Sequence, residues 1–435
     1  MKITVDFSRE LGAVKPLHGV GQPPFSGVNF SMFHWLSEAG IPFSRLHDVG
    51  GTYGGGRWVD IPNLFRNFDA DPYDPASYDF AFTDLLITAL VESGVEPYFR
   101  LGVTIENDSQ IKAYHIYPPA DFEKWAVICE HVIRHYTEGW ANGFHYNIRY
   151  WEIWNEPDNQ EIIAQNHMWL GTKEEYYELY CTAAKHLKKC FPHLKIGGYG
   201  SCGFYALKQS FIPEANSTPR FDYFITFLDG FLDAIQKENA PLDFFSWHSY
   251  DNVENTAHYA RYIKERLVAA GYPDAETSCN EWNIKTRLFR GTAKHASLIC
   301  AQMLSFQNLP LDHAMFYDAR FGISQFGSLF NPLTAEPFPA YYAFTAFNRL
   351  YRVGTQVDLT MDQESLVYAV AARNKTEGCI VLANQNEDSV PFSLEMNVHI
   401  TGCLLTAEGQ NEVPTDLPAA LPPHSILTVM AEPVD

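Results

Sequence analysis

The sequence predicts an α/β protein, a (β/α)8 TIM barrel followed by a small antiparallel β-sandwich. Three observations lead to it. Short apolar strands alternate with longer amphipathic helices over most of the 435 residues, which implies β/α units around a parallel sheet. The strands in that region number eight, as a closed barrel of this kind requires. Beyond about Val353 long helices give way to alternating strands and polar turns.

The eight strands are placed at Gly19–Gln22, Pro42–Val49, Glu96–Val103, Arg149–Trp154, Lys195–Tyr199, Phe244–His248, Thr277–Glu281 and Ala314–Tyr317. Apolar periodicity marks helices at Tyr78–Ser93, which stops at Gly94, and at Pro119–Tyr136, Lys173–Lys189, Asn255–Ala270, Lys294–Gln307 and Pro339–Tyr351. The stretches LVYAVAARN, CIVLANQN and HSILTVMAE read as sandwich strands. The opening KITVDF alternates in the same way, and a barrel does not need it. The expected division is therefore a catalytic barrel over 16–352 and an accessory β-sandwich over 1–15 plus 353–435.

Composition narrows the function classes. Hydrophobic residues make up 46% and charged residues 19%, as in a soluble globular protein. The formal charge is −21, with no basic run, so nucleic acid and anionic membrane surfaces are poor partners. The substrate is expected to be neutral or held by a few local cations. Aromatics reach 15%; that fits a large core, and it also fits sugars, whose C–H faces stack on rings. The amino end lacks the apolar core of a signal peptide, and no apolar run approaches the ~20 residues that span a bilayer. Eight cysteines are scattered singly without a C-x-x-C pair, which points to a reducing, cytoplasmic setting. Oligomeric state stays open.

The chemistry is concentrated at strand ends. Arg149-Tyr-Trp-Glu-Ile-Trp-Asn-Glu-Pro-Asp158 is an apolar strand running into Asn155-Glu156-Pro157, where the proline halts pairing. Thr277-Ser-Cys-Asn-Glu-Trp-Asn283 places Glu281 at the end of another strand. In such barrels the carboxyl ends of the strands form one rim, so the two carboxyls are expected to flank a glycosidic bond. Retention of configuration needs them ~5–5.5 Å apart and inversion ~6.5–9.5 Å. Either glutamate alone reads as an ordinary surface acid; two strand-end motifs in this order do not.

W-N-E-P after the fourth strand and E-W-N after the seventh resemble the glycoside hydrolases of clan A. The wider pattern, from about Gly19 to Tyr351, resembles family 39, which includes β-xylosidases and α-L-iduronidases. The resemblance implies Glu156 as acid/base, Glu281 as nucleophile, and Asn155 as a ligand of the hydroxyl beside the reacting carbon. With Glu281 ionised nearby, Glu156 is expected to hold its proton near neutrality until a glycosyl-enzyme forms.

Other strand ends supply candidate substrate-binding residues. Arg45, His47 and Asp48 close the second strand; Arg45 is expected beside the nucleophile or, alternatively, paired with Asp48 beneath the site. His248 and Tyr250 close the sixth, where the resemblance suggests that one of them orients Glu281 or the sugar; a satisfied core histidine is the other reading. Tyr317 closes the eighth and offers a stacking wall. The glycine-rich segment 50–58 and Gly322–Pro332 are placed to cover the site, or are plain surface loops.

No cofactor and no metal are expected, since H-E-x-x-H, G-x-S-x-G and P-loop patterns are missing. Gly198-Tyr-Gly-Ser-Cys-Gly203 fits G-x-G-x-x-G, with Asp222 downstream, but four β/α units precede it, unlike a dinucleotide fold. The resulting expectation is an exo-acting, β-xylosidase-like enzyme for short neutral oligosaccharides. An arabinose- or galactose-releasing enzyme and a catalytically inactive carbohydrate-binding barrel are the competing readings. A uronate-releasing activity is disfavoured, because a uronate calls for clustered cations.

Overall fold

The computed structural model describes residues 1–27, 29–49, 58–105, 116–322, 324–363 and 365–433. After an N-terminal strand, β1 (Lys2–Ala13), eight parallel strands close a barrel: β2 (Gly19–Gly21), β3 (Phe43–Leu46), β4 (Glu96–Leu101), β5 (Tyr150–Ile153), β6 (Lys195–Ser201), β7 (Phe244–Ser249), β8 (Glu276–Trp282) and β9 (His313–Phe316). The helices among the described residues are α1 (Phe33–Glu38), α2 (Ile61–Leu64), α3 (Ala81–Glu92), α4 (Phe122–Thr137), α5 (Lys173–Cys190), α6 (Pro219–Lys237), α7 (Val253–Ala269), α8 (Thr286–Phe289), α9 (Ala293–Gln307) and α10 (Tyr341–Val353).

Local signals explain most of these boundaries. Helix α5 opens on a capping box: Thr172 Oγ1 accepts from the Glu175 N–H, and the Glu175 carboxylate accepts from the Thr172 N–H. Helix α6 escapes the sequence reading. It is capped by Thr218, begins at Pro219 and buries Tyr223, Phe224, Phe227, Leu228 and Phe231. Its aromatics and Gly230 are weak helix formers, so local preference hides what packing enforces. A Cβ at Gly230 would lie 2.7 Å from the Tyr177 hydroxyl, so this glycine lets α6 approach α5.

Period-two alternation builds the barrel interior in layers. At the bottom Phe43, Tyr98, Tyr150, Phe244 and Met315 form an apolar plug. Two residues further along their strands come Arg45, Arg100, Glu152 and Ser246, all buried. A buried ion pair, Arg100 with Asp60 at 2.5 Å, ties the start of α2 to β4.

The remaining strands are β10 (Thr355–Met361), β11 (Val367–Arg373), β12 (Gly378–Asn384), β13 (Val390–Pro391), β14 (Ser393–Met396), β15 (Val398–Ala407), β16 (Gln410–Thr415), β17 (Ala420–Leu421) and β18 (Ser425–Pro433). Eight strands form one sheet in the order β14-β1-β10-β11-β12-β18-β15-β16, and β13 pairs with β17 in a short ribbon. The first strand does join it, antiparallel to β10 and parallel to β14. Ile3, Val5, Phe7, Ile380, Leu382, Leu427 and ribbon residue Leu421 share one core. The opposite face, with Val370, Ala372, Cys379, Val381 and Ala383, belongs to the barrel's core, against α9 and α10. A sheet buried on both faces ties the two parts together. No described helix is long and apolar enough to cross a membrane, and all eight cysteines are free, seven of them buried.

Candidate active site

The upper ends of β2, β3 and β5 run into residues with left-handed backbone: Gln22 (φ 49), Asp48 (φ 55), Trp154 (φ 71) and Glu156 (φ 44). Conformations of this kind persist only where surrounding structure holds them, and they gather at functional sites. A register shift between Trp247 and His248 pairs His248 with Glu281, and the ladder of β8 with β9 shifts again between Cys279 and Trp282. Regular alternation would send Asn280 and Glu281 to opposite faces. The irregularities bring both to the interior side, where Asn280 bonds Glu152 and Glu281 bonds Arg45.

Arg45 is the hub beneath the rim. Its Nε donates to Glu152 at 2.7 Å, Nη1 to Glu281 at 2.7 Å and Nη2 to the Asn155 side-chain oxygen at 2.5 Å. Burial alone would depress its pKa, but the two carboxylates outweigh burial and the net shift is upward. Glu152, fully buried, also accepts from Ser246 and Asn280, each at 2.6 Å. Gly200, at φ 65, passes so close that a Cβ would lie 3.1 Å from Asn155 Oδ1 and 3.2 Å from Arg45 Nη2.

The two glutamates meet at His248. Its Nδ1 lies 2.7 Å from Glu156 Oε1 and 3.5 Å from Glu281 Oε2. One carboxylate oxygen of each glutamate and this nitrogen all lie within 4.8 Å of one another. Tyr250 donates its hydroxyl to Glu281 Oε2 at 2.8 Å. Burial pushes the His248 pKa down, but Glu281's charge and the bond to Glu156 override it, and the ring's pKa is raised. For Glu156 burial pushes up, and the bond and charge of His248 override it, so its pKa is lowered. Both shifts make the imidazole the more basic partner of this contact. Sequence reasoning weighed only Glu281 against Glu156; it did not foresee a histidine seated between the two carboxylates.

A cavity of about 420 Å³ opens above them, lined by His47, Asp48, Asn155, Glu156, Tyr250, Glu281, Tyr317, Arg320 and Phe326 among others. Its size falls within the range of small-molecule pockets. Tyr317 donates to Asp48 Oδ2 at 2.9 Å and accepts from Gln22 Nε2 at 2.7 Å, while Arg320 Nε donates to Gln22 Oε1 at 2.5 Å. Burial and then Glu281 push Asp48 up to about 6. Burial, followed by Arg100 and Arg45, holds His47 well below the ordinary histidine value, so its ring is neutral. Tyr250, Tyr317 and Phe326 form an aromatic corner, with centroids 5.3–6.4 Å apart.

The nine residues singled out from sequence thus converge, with different placements. Seven line the cavity; Arg45 and His248 do not, and act through the glutamates they touch. Arg45 pairs with Glu152 and Glu281 rather than with Asp48. Of segment 322–332, Ser324 to Phe326 face the cavity. Residues 50–57 of the glycine-rich segment lie outside the described residues, and Trp58 stacks on Phe82. Residues 198–201 of the G-x-G-x-x-G match are barrel strand rather than a turn into a helix, so no phosphate cradle forms. Sequence reasoning missed Glu152, Asn159, Cys202, Gln22 and Arg320. Glu152 had a signal, a lone acid inside an apolar strand.

A closed β/α barrel that brings glutamates from the ends of β5 and β8 together across a histidine, one of them held by an arginine, is the arrangement of a glycoside hydrolase. The model of glycosyl hydrolases family 39 matches residues 56–279, which include Glu156 and stop two residues before Glu281. The chain belongs to glycosyl hydrolases family 39. It is similar to a β-xylosidase of Caldicellulosiruptor saccharolyticus, 23% identical over 440 residues, spanning 91% of this chain and 81% of that one. A β-xylosidase of Geobacillus stearothermophilus is 23% identical over 369 residues, 73% of this chain and 66% of the other. Among solved structures, a glucosidase from Croceicoccus marinus superposes with a TM-score of 0.80 at 21% identity, over 100% of this chain and 99% of that one. A monomeric β-xylosidase from Caulobacter crescentus gives 0.71 at 15% identity, covering both chains fully. At these identities the two structures speak for the fold.

Proposed function

We propose that this chain is a retaining, exo-acting glycosidase of β-xylosidase type for short neutral oligosaccharides, with Glu281 as nucleophile and Glu156 as acid/base. The gap between the glutamates carries this reading. An oxygen of each glutamate lies within 4.8 Å of one of the other, which supports the ~5–5.5 Å spacing of retention over the ~6.5–9.5 Å of inversion. Glu281, fixed by Arg45 and Tyr250, attacks the anomeric carbon. Glu156 passes a proton to the departing oxygen, and the proton on His248, 2.7 Å away, is the local supply. Once Glu281 is esterified its charge is gone, and Glu156 takes a proton from the attacking water. The Asn155 side-chain oxygen is taken by Arg45, which leaves its NH2 for the hydroxyl next to the reacting carbon. Asp48, His47 and Tyr317 supply acceptors, donors and a ring for the rest of the sugar.

The xylose preference draws on the two curated relatives named β-xylosidase. A panel of nitrophenyl β-xyloside, α-L-arabinoside, β-galactoside and β-glucoside tests it. Release from the xyloside first is expected; no release there, with release from another member, removes the xylosidase label. Glu281→Gln is expected to abolish turnover while sugar binding persists. A wild type that binds equally well and turns nothing over would favour the carbohydrate-binding reading.

A further inference from the structure

Glu156 leaves β5 with φ 44, so its carboxylate is aimed by what surrounds it rather than by the strand. His248 holds one oxygen. The other, Oε2, accepts from Asn159 Nδ2 at 3.0 Å, and the same amide lies 3.6 Å from Cys202 Sγ. The Cys202 thiol, in contact with that amide, also lowers the Glu156 pKa as a donor to the carboxylate would. That thiol is buried, and burial drives its pKa far up, so it stays protonated and serves as a donor rather than a nucleophile.

Both groups are held from behind. The Asn159 N–H donates to the Glu156 carbonyl at 3.0 Å. Asp158, fully buried, accepts from the Ser201 hydroxyl at 2.7 Å and from the Cys202 N–H at 3.2 Å. The Glu156 N–H donates to the Gly200 carbonyl at 2.9 Å. The turn after β5 and the end of β6 are thus laced together around one carboxylate.

We propose that Asn159 and Cys202 are positioning residues for Glu156, Asn159 holding Oε2 and the Cys202 thiol, in contact with the Asn159 amide, acting as a second donor to the carboxylate, for the step in which it accepts a proton from water. The inference rests on the reading of Glu156 as acid/base. It adds to that reading a reason for a cysteine beside the site: a weak, permanently protonated donor steadies the anion without closing off its side towards the cavity. A serine retains a donor there, and an alanine removes it.

The test uses the whole chain and has two arms. In the first, Glu156→Ala is assayed with a dinitrophenyl glycoside of the sugar accepted in the panel, with and without azide. Rescue with formation of the glycosyl azide establishes the acid/base, and failure overturns that reading together with the cradle built on it. In the second, Cys202→Ala, Cys202→Ser and Asn159→Ala are compared with the wild type by the pH dependence of kcat/KM on a glycoside with a poor leaving group, whose departure needs the acid, and by kcat on the dinitrophenyl glycoside, whose second step limits. Loss of one donor to an anion is expected to move the basic limb up by about 0.5–1 pH unit and to lower kcat by about 3–10-fold. Cys202→Ser should return both towards wild type, and Asn159→Ala should shift the limb in the same direction as Cys202→Ala. Azide rescue together with an unmoved limb in Cys202→Ala, or equal shifts in the alanine and serine variants, overturns the cradle alone.

Discussion

Arg45→Met is the sharpest test of how the site is built. Arg45 is 1% exposed and donates to three groups at 2.5–2.7 Å. Methionine keeps an unbranched stem and removes every donor. Glu152 then retains only Ser246 and Asn280 as donors, and its charge is left uncompensated inside the barrel. Removing one partner of a buried ion pair costs about 3–5 kcal/mol. Glu281 keeps Tyr250 and His248, so its share is smaller. Urea unfolding followed by tryptophan fluorescence reads the barrel directly, since Trp151, Trp154, Trp247 and Trp282 are all buried. The expected result is a lower midpoint at unchanged slope, with kcat/KM down about 100-fold or more as the clamp on Glu281 is lost. Glu152→Gln alone should cost about 1–3 kcal/mol. Because the two residues form one network, the double variant should lose about 1–3 kcal/mol less than the sum of the singles. An Arg45→Met protein within about 1 kcal/mol of wild type, or strict additivity, would refute the buried-charge account.

Two further substitutions address the glutamates separately. His248→Asn removes the cation that holds the Glu156 pKa down; burial and the nearby Glu281 then push it up, so Glu156 keeps its proton to higher pH. The basic limb of kcat/KM should rise by about 1–3 pH units, and the ratio of rates at high and low pH should rise with it; a limb that stays or falls contradicts the proton placement. Tyr250→Phe removes the 2.8 Å bond to Glu281 Oε2; a hydrogen bond to a charged group is worth about 1.5–3 kcal/mol, so kcat should fall about 10–100-fold with little change in KM. A loss confined to KM would make Tyr250 a sugar contact instead.

Much of the barrel was legible because strand and helix periods differ. Each of the eight expected strands overlaps an observed one, with ends off by a few residues where pairing rather than pattern sets the boundary. Helix α6 was illegible for the opposite reason: its aromatics favour strands locally and become helical only against α5 and the barrel. The accessory part is the expected antiparallel domain, built as one eight-stranded sheet with a two-stranded ribbon. Alternation says which residues are buried and leaves open whether a second sheet or a barrel helix covers them.

Sequence by itself determined the barrel, its eight strands and the two glutamates at strand ends, because these depend on periodicity and on motifs local to one strand. Tertiary structure decided everything that needs two strands at once. It set Arg45 against Glu152, Glu281 and Asn155 instead of Asp48, and it placed His248 between the glutamates through a register shift that no single strand encodes. It gathered Asn159 and Cys202 around Glu156. The physical reason is range: backbone preference and hydrophobic burial act along the chain, whereas charge, desolvation and hydrogen bonding depend on distances across it, fixed only when the barrel closes.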